Sequence, residues 1–280
     1  EFHKQAKIKS GIYNQKKLNT VLNRLRSFQD PIPLSTLTPG FLRDFENSMV
    51  KEKKHPNYIT DTLARIRTVV NEVLRDGAME YHKNPFLQYK LNYVRTERER
   101  LEITDIEKLE KADLIGKPFL ARDIYIFSFY CGGLRFGDIC RLTKDNVVDG
   151  RLVYQMNKTK VNRNIKMHPK AVAIFKSYDF QFPIGINFNR VEESISSRNA
   201  EMNRHLKTAC KEAKVKGISM HTARHSIADY AVKQKLGTRE LKGILGHQKI
   251  ETTEGYMKSF YQEESDEVMD KLFSNKKAQR

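Results

Sequence analysis

His221-Thr222-Ala223-Arg224-His225 sets two histidines around an arginine at the start of a helical pattern. A spacing of three puts His221 and Arg224 on one helix face, and the N–H groups exposed at a helix start favour an anion. Upstream, Gly132-Gly133-Leu134-Arg135-Phe136-Gly137-Asp138 holds a second arginine at a glycine-rich turn, just before the apolar Ile139 and Leu142. Downstream, Gly246-His247 follows a short helix read as capped by Thr238, with Gly246 as its left-handed exit. Tyr256 comes after Thr252-Thr253. Singly, each element has a plain structural reading: Arg135 as a surface residue capped by Asp138, Tyr256 as a core aromatic.

Between these segments lies a strand pair. Leu152, Tyr154 and Met156 alternate, then Val161, Arg163, Ile165 and Met167, with residues 157–160 as the turn. The turn carries two lysines, Lys158 and Lys160. Two arginines, two histidines, a hairpin lysine and a tyrosine are what phosphodiester chemistry needs without a metal. Arginine forks hold non-bridging oxygens and neutralise charge in a pentacovalent transition state. A tyrosine hydroxyl, with a pKa of about 10, needs that field and a neighbouring base to become a nucleophile. A lysine at a hairpin tip can protonate the departing sugar oxygen. His221 and His247 can donate hydrogen bonds to the phosphate or take the tyrosine proton.

The composition fits a polyanionic partner. The chain has 280 residues, with 51 Lys and Arg against 34 Asp and Glu, a formal net charge of +17. The excess is spread along the chain: residues 1–95 carry 17 basic and 9 acidic side chains, and residues 96–280 carry 34 and 25. Such a distribution points to a polyanionic partner gripped from two sides. No apolar run approaches the roughly 20 residues of a membrane span, and no signal-peptide pattern opens the chain. Cys131, Cys140 and Cys210 form no CxxC pair, so they read as small buried apolar residues in a reducing, cytoplasmic setting. The opening Glu1-Phe2, without Met, reads as a fragment or a cloning scar.

Periodicity predicts two domains. Tyr13, Leu18, Val21, Leu22, Leu25 and Phe28 make an amphipathic helix over 12–29. Thr38 caps a second helix with Pro39 at its first position, burying Phe41, Leu42, Phe45 and Met49. A third, over 60–75, presents Leu63, Ile66, Val69, Val70, Val73 and Leu74, and Gly77 stops it. Residues 88–102 are charged and read as a linker. Thr104-Asp105-Ile106-Glu107 then starts a new helix, residues 124–130 form an apolar one, and the chain is helical again after His168-Pro169.

In this order, Gly-Leu-Arg135-Phe-x-Asp, a hairpin lysine, His221-x-x-Arg224-His, Leu-Gly-His247 and Tyr256 resemble the tyrosine recombinase (phage integrase) family. Phe45, the helix ending at Gly77, and Asn84-Pro85-Phe86 are similar to the helical core-binding domain of its Bacteroidetes integrases and transposon recombinases. The resemblance spans nearly the whole chain. It implies a mainly α fold with a small β-sheet: a helical core-DNA-binding (SAM-like) domain over 1–95 and a mixed α/β catalytic domain over 96–280, clamped around double-stranded DNA. It implies a phosphate pocket of Arg135, Lys158, His221, Arg224 and His247, with Tyr256 as nucleophile. Lys158 matches better than Lys160 by its place after the first strand. The implied reaction is site-specific recombination through a 3′-phosphotyrosine, without metal, ATP or other cofactor. The implied assembly is a homotetramer on DNA that exchanges C-terminal tails, here the stripe of Val268, Met269, Leu272 and Phe273, in a cytoplasmic, nucleoid-associated protein. Longer members carry a further N-terminal domain for accessory DNA sites, which has no counterpart in this sequence.

Other functions are weaker fits. Zinc at His221 and His225 lacks the Glu of HExxH and meets the charge of Arg224. Asp138, Asp145 and Asp149 are close enough in sequence for a metal-dependent nuclease, but Asp138 is accounted for by Arg135. A type IB topoisomerase uses similar chemistry, and a DNA-binding regulator would keep the fold without the reaction. Relaxation of DNA lacking a specific site identifies the former, and absence of covalent DNA adducts the latter.

Overall fold

The computed structural model describes residues 15–94, 96 and 98–255. The chain divides into two compact units, Glu1–Thr96 and Glu97–Arg280.

The first unit is helical. α1 (Gln15–Phe28), α2 (Pro39–Lys51) and α3 (Pro56–Arg75) pack on one another. Their apolar stripes form a core that includes Val21, Phe41, Leu42, Phe45, Met49, Ile59, Leu63, Ile66 and Val70. Thr38 caps α2 as expected, its Oγ1 accepting from the Phe41 N–H at 3.1 Å. α3 starts at Pro56 rather than near residue 60. His55 Nδ1 accepts from the Asn57 N–H at 3.1 Å, and Pro56 sits where a missing N–H is harmless. Gly77 ends the helix at φ +72°.

Among the described residues of 88–102 no helix or strand precedes Ile103, and this stretch, read as the linker, contains the boundary between the two units and is anchored on each side of it. Tyr89 is buried in the first core. The Asn57 side chain donates to Val94 O and accepts from its N–H, both at 2.8 Å, and Thr60 Oγ1 donates to Asn92 O at 2.7 Å. Farther on, Leu101 is buried in the second core and its N–H donates to Ser226 Oγ at 2.8 Å. Side-chain amides and hydroxyls here do the work of secondary structure by satisfying the backbone.

The second unit is built around α5 (Gly116–Tyr130), whose residues 121–129 are buried on every side. Around it pack α4 (Ile103–Lys111), α7 (Pro169–Ser177), α8 (Val191–Glu212) and α9 (Thr222–Lys233). The short α6 (Phe136–Ile139) follows the glycine-rich turn. An antiparallel sheet, β1 (Val147–Val148), β2 (Arg151–Gln155) and β3 (Asn162–Lys166), runs in the order β1-β2-β3, with Leu152 opposite Ile165 and Tyr154 opposite Arg163. The β2–β3 pair follows the alternation. β1 is too short to leave a periodic signal. α10 (Thr238–Leu245) is capped by Gly237, not Thr238, which is its first helical residue; Gly246 exits it in the left-handed region, at φ +63°. All three cysteines are free and buried, and among the described residues no helix is long and apolar enough to cross a membrane.

Candidate active site

Two consecutive glycines decide how the site closes. Gly132 and Gly133 both adopt positive φ, +76° and +74°. A Cβ on Gly133 would stand 2.7 Å from Arg224 Cα, and one on Gly132 would stand 2.9 Å from Ile244 O. Side chains here would therefore push apart the turn before Arg135, the helix carrying Arg224 and the end of α10.

Arg224 is buried on α9. Its guanidinium donates to Gly133 O at 3.1 Å and to Leu245 O, the latter at the C-terminal end of α10, where carbonyls carry partial negative charge. Arg135 is the half-buried N-cap of α6, with Nη1 3.9 Å from Met156 Sδ on the hairpin. Asp138 does not serve Arg135 as the sequence predicted. It is buried, and its Oδ1 accepts from the Asn157 N–H at 2.8 Å, taking up a turn N–H that the β2–β3 ladder leaves unpaired. Lys158 is exposed at that turn.

His221, exposed at the head of α9, faces His225 edge-on, with ring centroids 4.9 Å apart. Partial desolvation, then the charges of Arg224, Arg135 and Lys158, hold His221 below the ordinary histidine pKa. His247 is pushed down to about 4 by burial, then by Arg224 and Arg135, and its Nδ1 lies 2.9 Å from the buried Thr253 Oγ1. Burial, His221, Arg98 and Arg224 likewise push His225 to about 4. The structure thus brings Arg135, Lys158, His221, Arg224 and His247 into one electrostatic neighbourhood: cations around histidines that stay neutral at physiological pH. An anion placed there relieves that repulsion. Among the described residues no group of three His, Cys, Asp or Glu side chains could hold a metal ion. Tyr256 and the predicted tail stripe lie outside the described residues; residues 250–255 before them are helical.

A model of the phage integrase family matches residues 99–263, and one of the phage integrase SAM-like domain matches residues 1–91. The chain belongs to the phage integrase family. A tyrosine recombinase of Thermosipho africanus is 26% identical over 204 residues, covering 70% of this chain and 68% of the relative. The tyrosine recombinase XerD of Listeria innocua is 24% identical over 250 residues, covering 82% and 80%. Among solved structures, a lambda integrase dimer bound to a COC′ core site aligns with a TM-score of 0.65 at 20% identity, covering 91% of this chain and 92% of that one. The Tn1549 transposon integrase in complex with circular intermediate DNA aligns at 0.67 and 15%, covering 91% and 93%. At such identities the likeness is one of fold.

Several residues of this integrase-family site had no signal of their own in the sequence. Arg163 counted only as a strand position, yet its guanidinium donates to Gly243 O and Ile244 O, each at 2.5 Å, tying β3 to the end of α10. Gln248 Nε2 donates to Thr159 O at 2.8 Å, joining the His247 loop to the hairpin turn. Arg98, read as part of a charged linker, acts on all three histidines.

Proposed function

We propose that Arg135, Lys158, His221, Arg224, His247 and Tyr256 are the machinery by which this chain, a site-specific DNA recombinase of the tyrosine class, cleaves and rejoins DNA. The observation that carries this reading is the convergence of Arg135 and Arg224 on both His221 and His247, with Lys158 acting on His221. Arg135 and Arg224 hold the non-bridging oxygens of a DNA phosphate and stabilise the added charge as it becomes pentacovalent. The Tyr256 oxygen attacks phosphorus while its proton passes to His221 or His247 as general base. The bond from phosphorus to the 5′ oxygen breaks, and that oxygen takes a proton from the Lys158 ammonium. A 3′-phosphotyrosine and a 5′-hydroxyl remain, and attack by a partner strand's 5′-hydroxyl reverses the sequence. Because the phosphotyrosine conserves the bond energy, rejoining needs no nucleotide hydrolysis.

The partner is double-stranded DNA, and the working form contains several copies of the chain. The net charge of +17 supports the first point. In support of the second, lambda integrase has been solved as a tetramer on a Holliday junction. The finer assembly we propose is a homotetramer joined by the stripe of Val268, Met269, Leu272 and Phe273, with residues 1–95 as the core-DNA-binding domain and 96–280 as the catalytic domain. The deciding experiment incubates the protein with nicked duplexes spanning the DNA that flanks its gene. Wild type forms a covalent adduct on one of them, and Tyr256→Phe binds that duplex equally but forms none. Adducts in the variant would transfer the role to Tyr261 or another tyrosine.

A further inference from the structure

We propose that Gln248 is a positioning residue that holds the general-acid lysine in place, an inference that rests on the role proposed for Lys158. Lys158 stands at the exposed tip of the hairpin, where a four-carbon side chain on a two-stranded ribbon would sweep a wide volume. Its two chain neighbours are held from outside the hairpin. On one side the Asn157 N–H donates to the buried Asp138 carboxylate at 2.8 Å, on the helix that follows Arg135. On the other the Thr159 carbonyl accepts from Gln248 Nε2 at 2.8 Å, on the residue that follows His247. Within the turn, the Lys160 N–H closes onto Met156 O at 2.8 Å.

The lysine's backbone is therefore pinned between the two segments that present Arg135 and His247 to the phosphate. Arg163 fastens the same hairpin to the carbonyls of Gly243 and Ile244, just before His247, so the clasp closes on a rigid neighbour. Gln248 is the exposed member of this set. It contributes nothing to a core, and its side-chain amide bonds to the peptide beside the acid. Misplacement of a proton donor by about 1 Å can lower a rate about 100-fold, so a bond of this kind acts on one step of the reaction and leaves binding alone.

The test uses the duplex on which Tyr256 forms its adduct, made with either an ordinary phosphodiester or a 5′-bridging sulfur at the scissile bond. Sulfur leaves as a thiolate and takes no proton in the step. Gln248→Ala and the apolar Gln248→Met should cleave the ordinary duplex about 2- to 12-fold slower, the effect of one hydrogen bond, with unchanged DNA affinity. Both should match wild type on the sulfur duplex, as should Lys158→Ala. Recovery of Lys158→Ala but not of the Gln248 variants overturns the positioning role and leaves Lys158 as the acid. Failure of Lys158→Ala to recover overturns the acid assignment and the inference with it. Ordinary-duplex rates equal to wild type in both Gln248 variants also overturn the inference.

Discussion

The two units of this integrase-family chain are both basic, yet their cores are made differently. In the first, the buried polar side chains are two threonines of α3, Thr60 and Thr62, each bonded to a backbone carbonyl. Among the described residues the other buried side chains are apolar apart from the Tyr89 hydroxyl, which donates to Glu46, and the Phe28, Phe41 and Phe45 rings pack with centroids 5.3 to 6.5 Å apart. The second unit buries Arg122, Asp123, Asp138, Arg224 and Asp229. Arg122 Nε meets Asp123 Oδ1 at 2.6 Å, and Tyr178 donates to Oδ2 at 2.9 Å. An apolar core gives stability with little directional demand, whereas buried charge gives none unless its partners are in place. The unit carrying the proposed chemistry is thus the one in which removal of a single partner should be most damaging.

The sharpest way to break that contrast is Arg122→Met, which leaves Asp123 buried beside an apolar neighbour and changes none of the proposed site residues. Its loss of stability should be about 3–5 kcal/mol, read as a lower denaturation midpoint at unchanged m-value. A loss below about 1 kcal/mol would show the buried pair to be dispensable and the two cores to be alike.

Next is Arg135→Ala. Its side chain is half-buried and its role is assigned to the phosphate, so cleavage should fall about 100- to 1000-fold while the thermal midpoint stays near that of wild type. Arg135→Lys should recover little, since an ammonium lacks the planar fork. A variant that instead unfolds would make Arg135 a structural cation like Arg122.

The histidines sharpen the contrast through pH. Because the folded pKa values of His225 and His247, about 4, lie below the unfolded value near 6.5, the unfolded chain binds more protons between those limits. Their contribution to stability is complete above pH 6.5 and is lost as pH falls towards 4. His225→Gln should reduce the acid-induced loss by about 1–2 kcal/mol, allowing for partial exposure. Thermal midpoints of wild type and variant at pH 7 and 4.5 measure it, and identical drops would remove His225 from the titrating set.

The smallest effect belongs to the first unit's surface. The exposed pair Arg24–Glu52, at 2.9 Å, should show only a small coupling in a double-mutant cycle, one that fades with added salt. A coupling as large as that of a buried pair would mean that the first unit also relies on charge.

Most of the helical scaffold was legible along the chain because helix stripes and strand alternation are local: Phe41, Leu42, Phe45 and Met49 lie on one face whatever they pack against. The caps were partly legible. Thr38 behaves as its type suggests, whereas Thr238 yields the cap position to Gly237 because cap geometry depends on where the incoming loop arrives. How residues 88–102 are anchored was not legible for a related reason: their partners, Asn57, Thr60 and Ser226, lie far off in sequence.

The sequence by itself determined which side chains are candidates for a phosphate site, their order, and the family to which that order belongs, because residue types and local spacing are written in the chain. Only the tertiary structure decided their partners. Arg224 finds the carbonyls of Gly133 and Leu245, Asp138 takes the Asn157 N–H rather than Arg135, and Arg163 reaches across to α10. Hydrogen bonds form within about 3 Å, and residues far apart in the chain come that close only once the cores have packed. Gly132 and Gly133 belong to both accounts: a glycine pair marks a turn in any sequence, but only the fold shows that the missing Cβ atoms are where Arg224 and Ile244 must pass.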